Sequence, residues 1–295
     1  MIYLIISIVF LSVANIWQRY SGLAGTNAFA VNAIARLISG VVAISGAVLA
    51  LGVEPVLDAS HLVVLWGLVG GVFYTLAGLA AIRTYSLGHL GISSTILRCS
   101  MVIPTAASLL FWHEVTFAWD STSMWLVLGA MLLMLGAIVF SGLDQIRASR
   151  KSNEPFSISW AVWLFLAFAS QGLWEITLRA AGGFGTEQDR QVYLVIVFAT
   201  SMVLSLGALA VVRVRPGRKE IIYGLVLGML ATLATSVRPL ALRDLSGVIV
   251  FPLTAMGTIV LLNIISRMVW KTHLGRWGVA GLATAVLATL MLCFR

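Results

Sequence analysis

The sequence predicts an all-α membrane protein, with ten transmembrane helices arranged as two inverted five-helix repeats around a central cavity. Three observations predict it. Of the 295 residues, 60% are hydrophobic and only 10% charged, where a soluble domain carries about 25% charge; the mean hydropathy is +1.01. The apolar residues fall into ten stretches, each near the roughly 20 residues that cross a hydrocarbon core. The polar residues gather in short connections, and one conspicuous polar run, Asp144-Gln-Ile-Arg-Ala-Ser-Arg-Lys-Ser-Asn-Glu-Pro155, falls at the midpoint of the chain.

The first stretch, 2–18, is apolar from Ile2 to Val13 and has no basic leading segment. Ser12-Val13-Ala14 could pass for a cleavage site, but the missing positive flank and the polar Asn15 and Gln18 favour a retained helix. The second, 28–51, carries Arg36 in its middle with Asn32 one turn earlier on the same face. The third, 62–84, opens on Trp66-Gly-Leu-Val-Gly-Gly71 and holds Tyr74 and Thr75. The fourth, 90–112, runs through Ser93-Ser94-Thr95 to Arg98 and contains Pro104. The fifth, 122–142, closes the first half. Beyond the midpoint, 158–181 holds Gln171, Trp174 and Glu175, and 191–211 carries no charge at all. The eighth, 221–242, opens on Tyr223-Gly-Leu-Val-Leu-Gly228 and sets Arg238 directly before Pro239. The stretches 246–268 and 276–294 complete the second half.

The midpoint run divides the chain into a first five-helix unit (1–143), a polar linker (144–157) and a second unit (158–295). The two glycine-rich openings echo each other, and Gly91 to Trp112-His113 parallels Gly247 to Trp270-Lys271. An odd number of spans per unit forces the second to insert upside down relative to the first. Inverted repeats of this kind build a site at their interface near the midplane, reached alternately from either side.

Tyr85-Ser-Leu-Gly-His-Leu-Gly-Ile-Ser-Ser94, Pro104-Thr-Ala-Ala-Ser-Leu-Leu-Phe-Trp-His-Glu114 and Leu132-Leu-Met-Leu-Gly-Ala-Ile-Val-Phe-Ser141 together resemble an EamA-type repeat of the drug/metabolite transporter superfamily. That repeat has a small-residue fourth helix with a proline, an apolar run, a Gly-Glu-Arg-like turn and a closing glycine-containing helix. The turn here reads His113-Glu114-Val115 and keeps only the acid; Lys271-Thr272-His273 in the second half keeps none of it. Leu173-Trp-Glu-Ile-Thr-Leu-Arg179 resembles the start of the second repeat. The resemblance covers nearly the whole chain and implies a ten-helix transporter with a central cavity, without naming a substrate.

Basic residues set the expected orientation. The odd connections carry twelve of the nineteen: Arg19, Arg83, the linker's Arg147, Arg150 and Lys151, then Arg213, Arg215, Arg218 and Lys219, and finally Arg267, Lys271 and Arg276. The even connections and the termini carry Arg179, Arg190, Arg243 and Arg295; Arg36, Arg98 and Arg238 lie in mid-span. The positive-inside rule then puts the linker in the cytoplasm and both termini outside it. The family resemblance implies the opposite. The expected location is a plasma membrane, such as a bacterial inner membrane, crossed many times.

The mid-span arginines carry the chemistry. A charge near the bilayer centre costs roughly 2.5–3.5 kcal/mol on insertion scales, so Arg36, Arg98 and Arg238 each need a partner, a watery cavity or a ligand. Each has an amide or hydroxyl neighbour: Asn32, Ser94 with Thr95, and Thr235-Ser236. Guanidinium forks suit carboxylates and phosphates, which points to an anionic ligand; pairing with Glu175, capping of helix carbonyls or snorkelling are the structural alternatives. Glu175 is the one carboxylate well inside a span. It either bridges Arg179 one turn on, carries a coupling proton, or meets a cationic amine. Asn15, Trp17, Gln18, Asn32, Tyr74, Thr75, Gln171 and Trp174 are further wall candidates, with Trp17 and Trp174 also suited to an interfacial belt.

Several classes are excluded. No Gly-x-x-x-x-Gly-Lys-Ser/Thr loop offers ATP as a direct energy source. His113-Glu114 lacks the second histidine of a zinc-protease helix, and no catalytic triad or paired carboxylates stand out, so no enzyme, metal or cofactor is expected. The net charge of +8 resides in short connections and does not form a nucleic-acid groove. Cys99 and Cys293 lie in apolar segments and suit neither a disulfide nor a metal. The expected partners are a small-molecule substrate and the lipid bilayer. The expectation is therefore a secondary transporter of a small polar anionic metabolite. The alternatives are an exporter of amino acids or amphipathic drugs, with Glu175 as cation or proton site, and an intramembrane enzyme or flippase handling a lipid phosphate.

Overall fold

A computed structural model describes residues 2–52, 59–88, 90–111, 122–151, 157–184, 186–244, 247–271 and 275–293. Among them are eleven α-helices and no strand: α1 (Ile2–Leu23), α2 (Ala28–Leu51), α3 (His61–Leu87), α4 (Leu90–Arg98), α5 (Val102–Phe111), α6 (Thr122–Lys151), α7 (Ile158–Gly182), α8 (Glu187–Val212), α9 (Arg218–Asp244), α10 (Gly247–Trp270) and α11 (Arg276–Cys293). Six of them, α1, α2, α3, α7, α8 and α9, are long and apolar enough to cross a membrane; α4–α5, α6, α10 and α11 contain shorter apolar helical runs. The outer surface is studded with exposed Leu, Val, Phe and Met, among them Leu49, Phe165, Val211 and Met268, whereas the interior holds many buried Ser and Thr beside small Ala. Apolar groups outside and hydroxyls inside reverse the soluble pattern. The protein is membrane-embedded.

Local chemistry sets the helix boundaries. Asn27 caps α2 by accepting from the amides of Phe29 (2.9 Å) and Ala30 (3.4 Å), Ser157 caps α7 through Trp160 N (3.1 Å), and Thr186 caps α8 through Asp189 N (3.0 Å). Gly52, at φ 78°, ends α2 in a conformation that favours glycine. The fourth predicted span is broken by a three-residue 3-10 turn, Cys99–Met101, between α4 and α5. Pro104 has no N–H for the Ser100 carbonyl and its ring crowds that carbonyl, so the regular ladder is interrupted there. Asp144–Lys151, the start of the polar linker, is helical and continues α6. The segment has no Gly or Pro, and Asp144 is anchored by accepting from Gly275 N at 2.9 Å beside the start of α11. Residues 112–121, 152–156, 272–274 and 294–295 lie outside the described set, and with them the His113-Glu114 turn, the rest of the linker, the Thr272-His273 turn and Arg295.

The two halves interlock by exchange. Helix α1 packs along α9 as α7 packs along α3; α2 packs along α9 as α8 packs along α3; α2 meets α8, and α6 meets α11. The same residues do the same work in each half. Gly67 and Gly71 of α3 press onto Ile196 and Thr200 of α8, while Gly224 and Gly228 of α9 press onto Ile34 and Ala35 of α2. Small residues let backbones approach closely where lipid supplies no hydrophobic drive for association. Beside each patch a threonine seals the contact. Thr75 donates to the Gly71 carbonyl at 2.7 Å and lies 2.9 Å from Ser201 Oγ; Thr232 donates to the Gly228 carbonyl at 2.7 Å and lies 2.8 Å from Ser39 Oγ. Gly67 to Gly224, Gly71 to Gly228, Thr75 to Thr232 and Trp17 to Trp174 are all one common displacement along the chain.

Candidate functional site

Between the halves lies a small, partly open cavity of about 100 Å³. Its wall comes from both halves: Asn15 and Gln18 of α1, Arg36 of α2, Tyr74, Gly78 and Tyr85 of α3, Arg98 of α4, Gln171 and Trp174 of α7, and Ala231 and Thr235 of α9. A side lobe of about 20 Å³ shares Leu97, Arg98 and Gln171 with it and adds Ser100, Met101, Glu175, Thr254 and Ala255. The 3-10 turn after Arg98 thus opens directly onto the lobe. Irregular backbone at membrane depth is tolerated where it lines a cavity.

Arg36 is the most tightly placed charge. It is 6% exposed, its Nη2 donates to the Tyr74 carbonyl at 3.0 Å, and its Cζ stands 3.7 Å from the centre of the Tyr74 ring, a cation–π pair. Gly78 makes this possible, because a Cβ there would strike the guanidinium. The Tyr74 ring in turn packs on Trp174 (4.9 Å) and edge-on to Phe198 (5.5 Å), tying α2 and α3 to α7 and α8. Nε of Arg36 is buried and has no hydrogen-bond partner among the described residues; the same holds for Asn15 Nδ2 and Gln18 Oε1.

The side lobe holds a carboxyl group. Glu175 is 6% exposed and accepts from Gln171 Nε2, one turn earlier on α7, at 3.0 Å. Arg98 and Glu175 therefore wall the same lobe, with Gln171 between lobe and main cavity. Near the Tyr85 end, Arg19 of α1 donates to the Tyr85 and Gly88 carbonyls and satisfies the end of α3, while Trp160 Nε1 donates to Ser93 Oγ at 3.1 Å. Among the described residues no three His, Cys, Asp or Glu side chains gather as metal ligands.

The predicted residues thus divide. Asn15, Arg36, Tyr74, Arg98, Gln171 and Trp174 come together on the main wall, and Glu175 in the lobe. Asn32 is turned to α8, where its Nδ2 donates to Ser205 Oγ at 3.2 Å, and Thr95 accepts from Asn263 Nδ2 of α10 at 3.4 Å. Trp17 is a strut between halves, donating to the Tyr223 carbonyl at 3.0 Å, and Thr75 belongs to the α3–α8 contact. Arg238 falls within α9, but its side chain lies outside the described residues. Sequence reasoning missed Tyr85 and the small wall residues Ala77, Gly78, Ala81 and Ala231. Small residues at one-turn spacing along α3 were the available signal, since space in a helix bundle is made where side chains are short.

No protein-family model matches the chain, and no curated protein matches it. A solved structure described only as "Crystal structure of protein" shares the fold, with a TM-score of 0.63 at 17% identity over 98% of this chain and 94% of that one.

Proposed function

We propose that the protein is a secondary transporter, built as two inverted five-helix repeats, that moves a small polar anionic metabolite across the membrane by alternating access. The observation that carries this reading is the cavity between the halves, walled by Arg36 and Arg98 and by aromatic and amide side chains from both halves. The exchange-related packing supports the repeat. Glycine patches and the threonines beside them recur at one displacement, each threonine meets a serine of the other half, and α2–α8 and α6–α11 are the pairs a two-fold axis would map onto themselves. The resemblance of helices three to five, and of Leu173–Arg179, to EamA-type repeats of the drug/metabolite transporter superfamily points the same way. In this reading the protein is not an enzyme, the linker is cytoplasmic, and both termini lie across the plasma membrane.

Cavity chemistry favours a carboxylate or phosphate at the arginines, because charge-assisted hydrogen bonds in a low-dielectric site are strong. A second reading follows from Glu175, which lines the side lobe together with Arg98 and is hydrogen-bonded to Gln171. A carboxylate there serves as a proton-coupling site or meets the amine of a zwitterion, as an amino-acid exporter requires. Uptake of labelled organic acids, sugar phosphates and amino acids into proteoliposomes, with and without a pH gradient, tests both. Saturable flux of an acid or phosphate supports the first reading, and flux of amino acids alone supports the second. No flux of any of them, with turnover of a lipid-linked phosphate instead, overturns both in favour of a lipid-handling protein.

A further inference from the structure

The two ends of the bundle are finished with different residues. At the end where the linker enters α7, three helices are drawn together. Arg19 of α1 donates to the Tyr85 and Gly88 carbonyls at the end of α3. Three residues on, a Cβ on Gly22 would stand 2.8 Å from Ser86 Cα, so the backbones of α1 and α3 are in close approach. Gly88 in turn lies against the Trp160 indole of α7, whose Nε1 donates to Ser93 Oγ at 3.1 Å. Tyr85 and Trp160 belong to one buried cluster with Ile92, Leu164 and Leu262, and Tyr85 is also the cavity wall at that end. Because α1 packs along α9 and α3 along α7, Arg19 joins the two packed groups of helices across the cavity end.

The displacement that relates Trp17 to Trp174 and Gly67 to Gly224 gives the residues at the corresponding places of the other end. The counterpart of Arg19 is Ile176, which has no donor for helix-end carbonyls. Those of Gly22 and Ser86 are Arg179 and Arg243, residues too large for the backbone approach that small ones permit. Trp160 is 3% exposed, whereas its counterpart Tyr3 is 39% exposed. In an inverted repeat, corresponding helices close the two ends in turn, so unequal closing contacts favour one of the two states.

We infer that the linker-side end is a latched gate: Arg19, Gly22 and Trp160 hold it shut, and the unliganded protein rests open to the opposite face. This rests on the alternating-access reading and names the residues that bias it. The latch suits a reversible motion. The last carbonyls of a helix carry partial negative charge, and a guanidinium on them is released and regained without any covalent change.

The test is cysteine accessibility in membrane vesicles of both orientations, using the full-length protein with Cys99→Ala and Cys293→Ala. Ala231→Cys, in the cavity wall, reports access, and Asn153→Cys marks the linker side. A membrane-impermeant methanethiosulfonate reagent should reach Ala231→Cys from the face opposite Asn153→Cys and not from the linker face. Arg19→Met keeps length and loses the donors. It should raise linker-side labelling by about tenfold or more, the effect of one lost charge-assisted hydrogen bond on an open–closed equilibrium. Gly22→Ala and Trp160→Phe should act in the same direction, with folding certified by elution as a single species in detergent. Linker-side labelling with the latch unaltered, unchanged labelling in every variant that folds, or failure of all three to fold overturns the gate; saturable flux would then leave alternating access standing. Labelling from neither face in any of these proteins removes the path to the cavity and overturns the transporter reading as well.

Discussion

Arg36 has its charge held on three sides at once, by a backbone carbonyl, an aromatic face and a glycine that lets it lie flat. Such an arginine is preorganised, and little rotamer entropy remains to be lost when a ligand arrives. Replacing Arg36 or Arg98 with Gln keeps polarity and length but removes the charge and the fork. Affinity for the acid should fall about ten- to a hundredfold, the worth of one charge-assisted hydrogen bond, in a binding titration of purified protein. Glu175 poses a different question, because its carboxylate already has the Gln171 amide. Glu175→Gln should keep expression while making flux indifferent to a pH gradient. If instead Arg98→Gln alone expresses poorly and Arg98→Gln/Glu175→Gln restores it, the pair is structural, since a buried charge deprived of its partner is strongly destabilising. Unchanged binding and transport in both arginine variants would end the anion reading.

At the scale of elements, stability rests on the two glycine contacts, α3 against α8 and α9 against α2. A Cβ at Gly228 would stand 2.6 Å from the Ala35 carbonyl, and one at Gly71 would stand 2.9 Å from the Val197 carbonyl. Backbone cannot swing aside as a side chain can. Gly71→Val and Gly228→Val should each lower the melting point, by an amount corresponding to roughly 1–3 kcal/mol of overpacking. Their effects should be similar if the contacts are true counterparts. Gly46 and Gly207 have nothing within 4 Å of an added Cβ, so Gly46→Ala and Gly207→Ala should be neutral or stabilising by about 0.5–1 kcal/mol. A Gly228→Val protein as stable as the Gly46→Ala protein would refute the close-approach account.

For the whole molecule, the question is how two halves that pack by exchange are set in the membrane. Twelve of nineteen basic residues lie in the odd connections, and the rule that reads them puts the linker inside. Cysteines introduced in 152–156 should resist a membrane-impermeant thiol reagent in intact cells, and a tag after Arg295 should be reached by one. The converse labelling would reverse the orientation and restore the topology usual for the resembling family. It would leave the cavity untouched, because inversion of the molecule exchanges its two faces and not its wall.

Membrane class, helix positions and the glycine echo were legible in the chain, because each depends on hydropathy and local spacing alone. The helix in 158–181 was read within one residue of α7. So were the charges that needed explaining, since a mid-span arginine is conspicuous in any apolar stretch. The tertiary structure decided what those charges touch. Asn32 and Arg36 share a face by spacing and both come up against Gly78 of α3, yet Asn32 donates to Ser205 and Arg36 to the Tyr74 carbonyl, because α2 has neighbours on more than one side. The break at Cys99–Met101 and the helical start of the linker also emerged only there. One depends on how a proline is accommodated beside a cavity, the other on a carboxylate meeting a backbone amide far along the chain. Periodicity assigns a residue to a face of its own helix; only packing against the other half determines whether that face meets protein, lipid or the cavity.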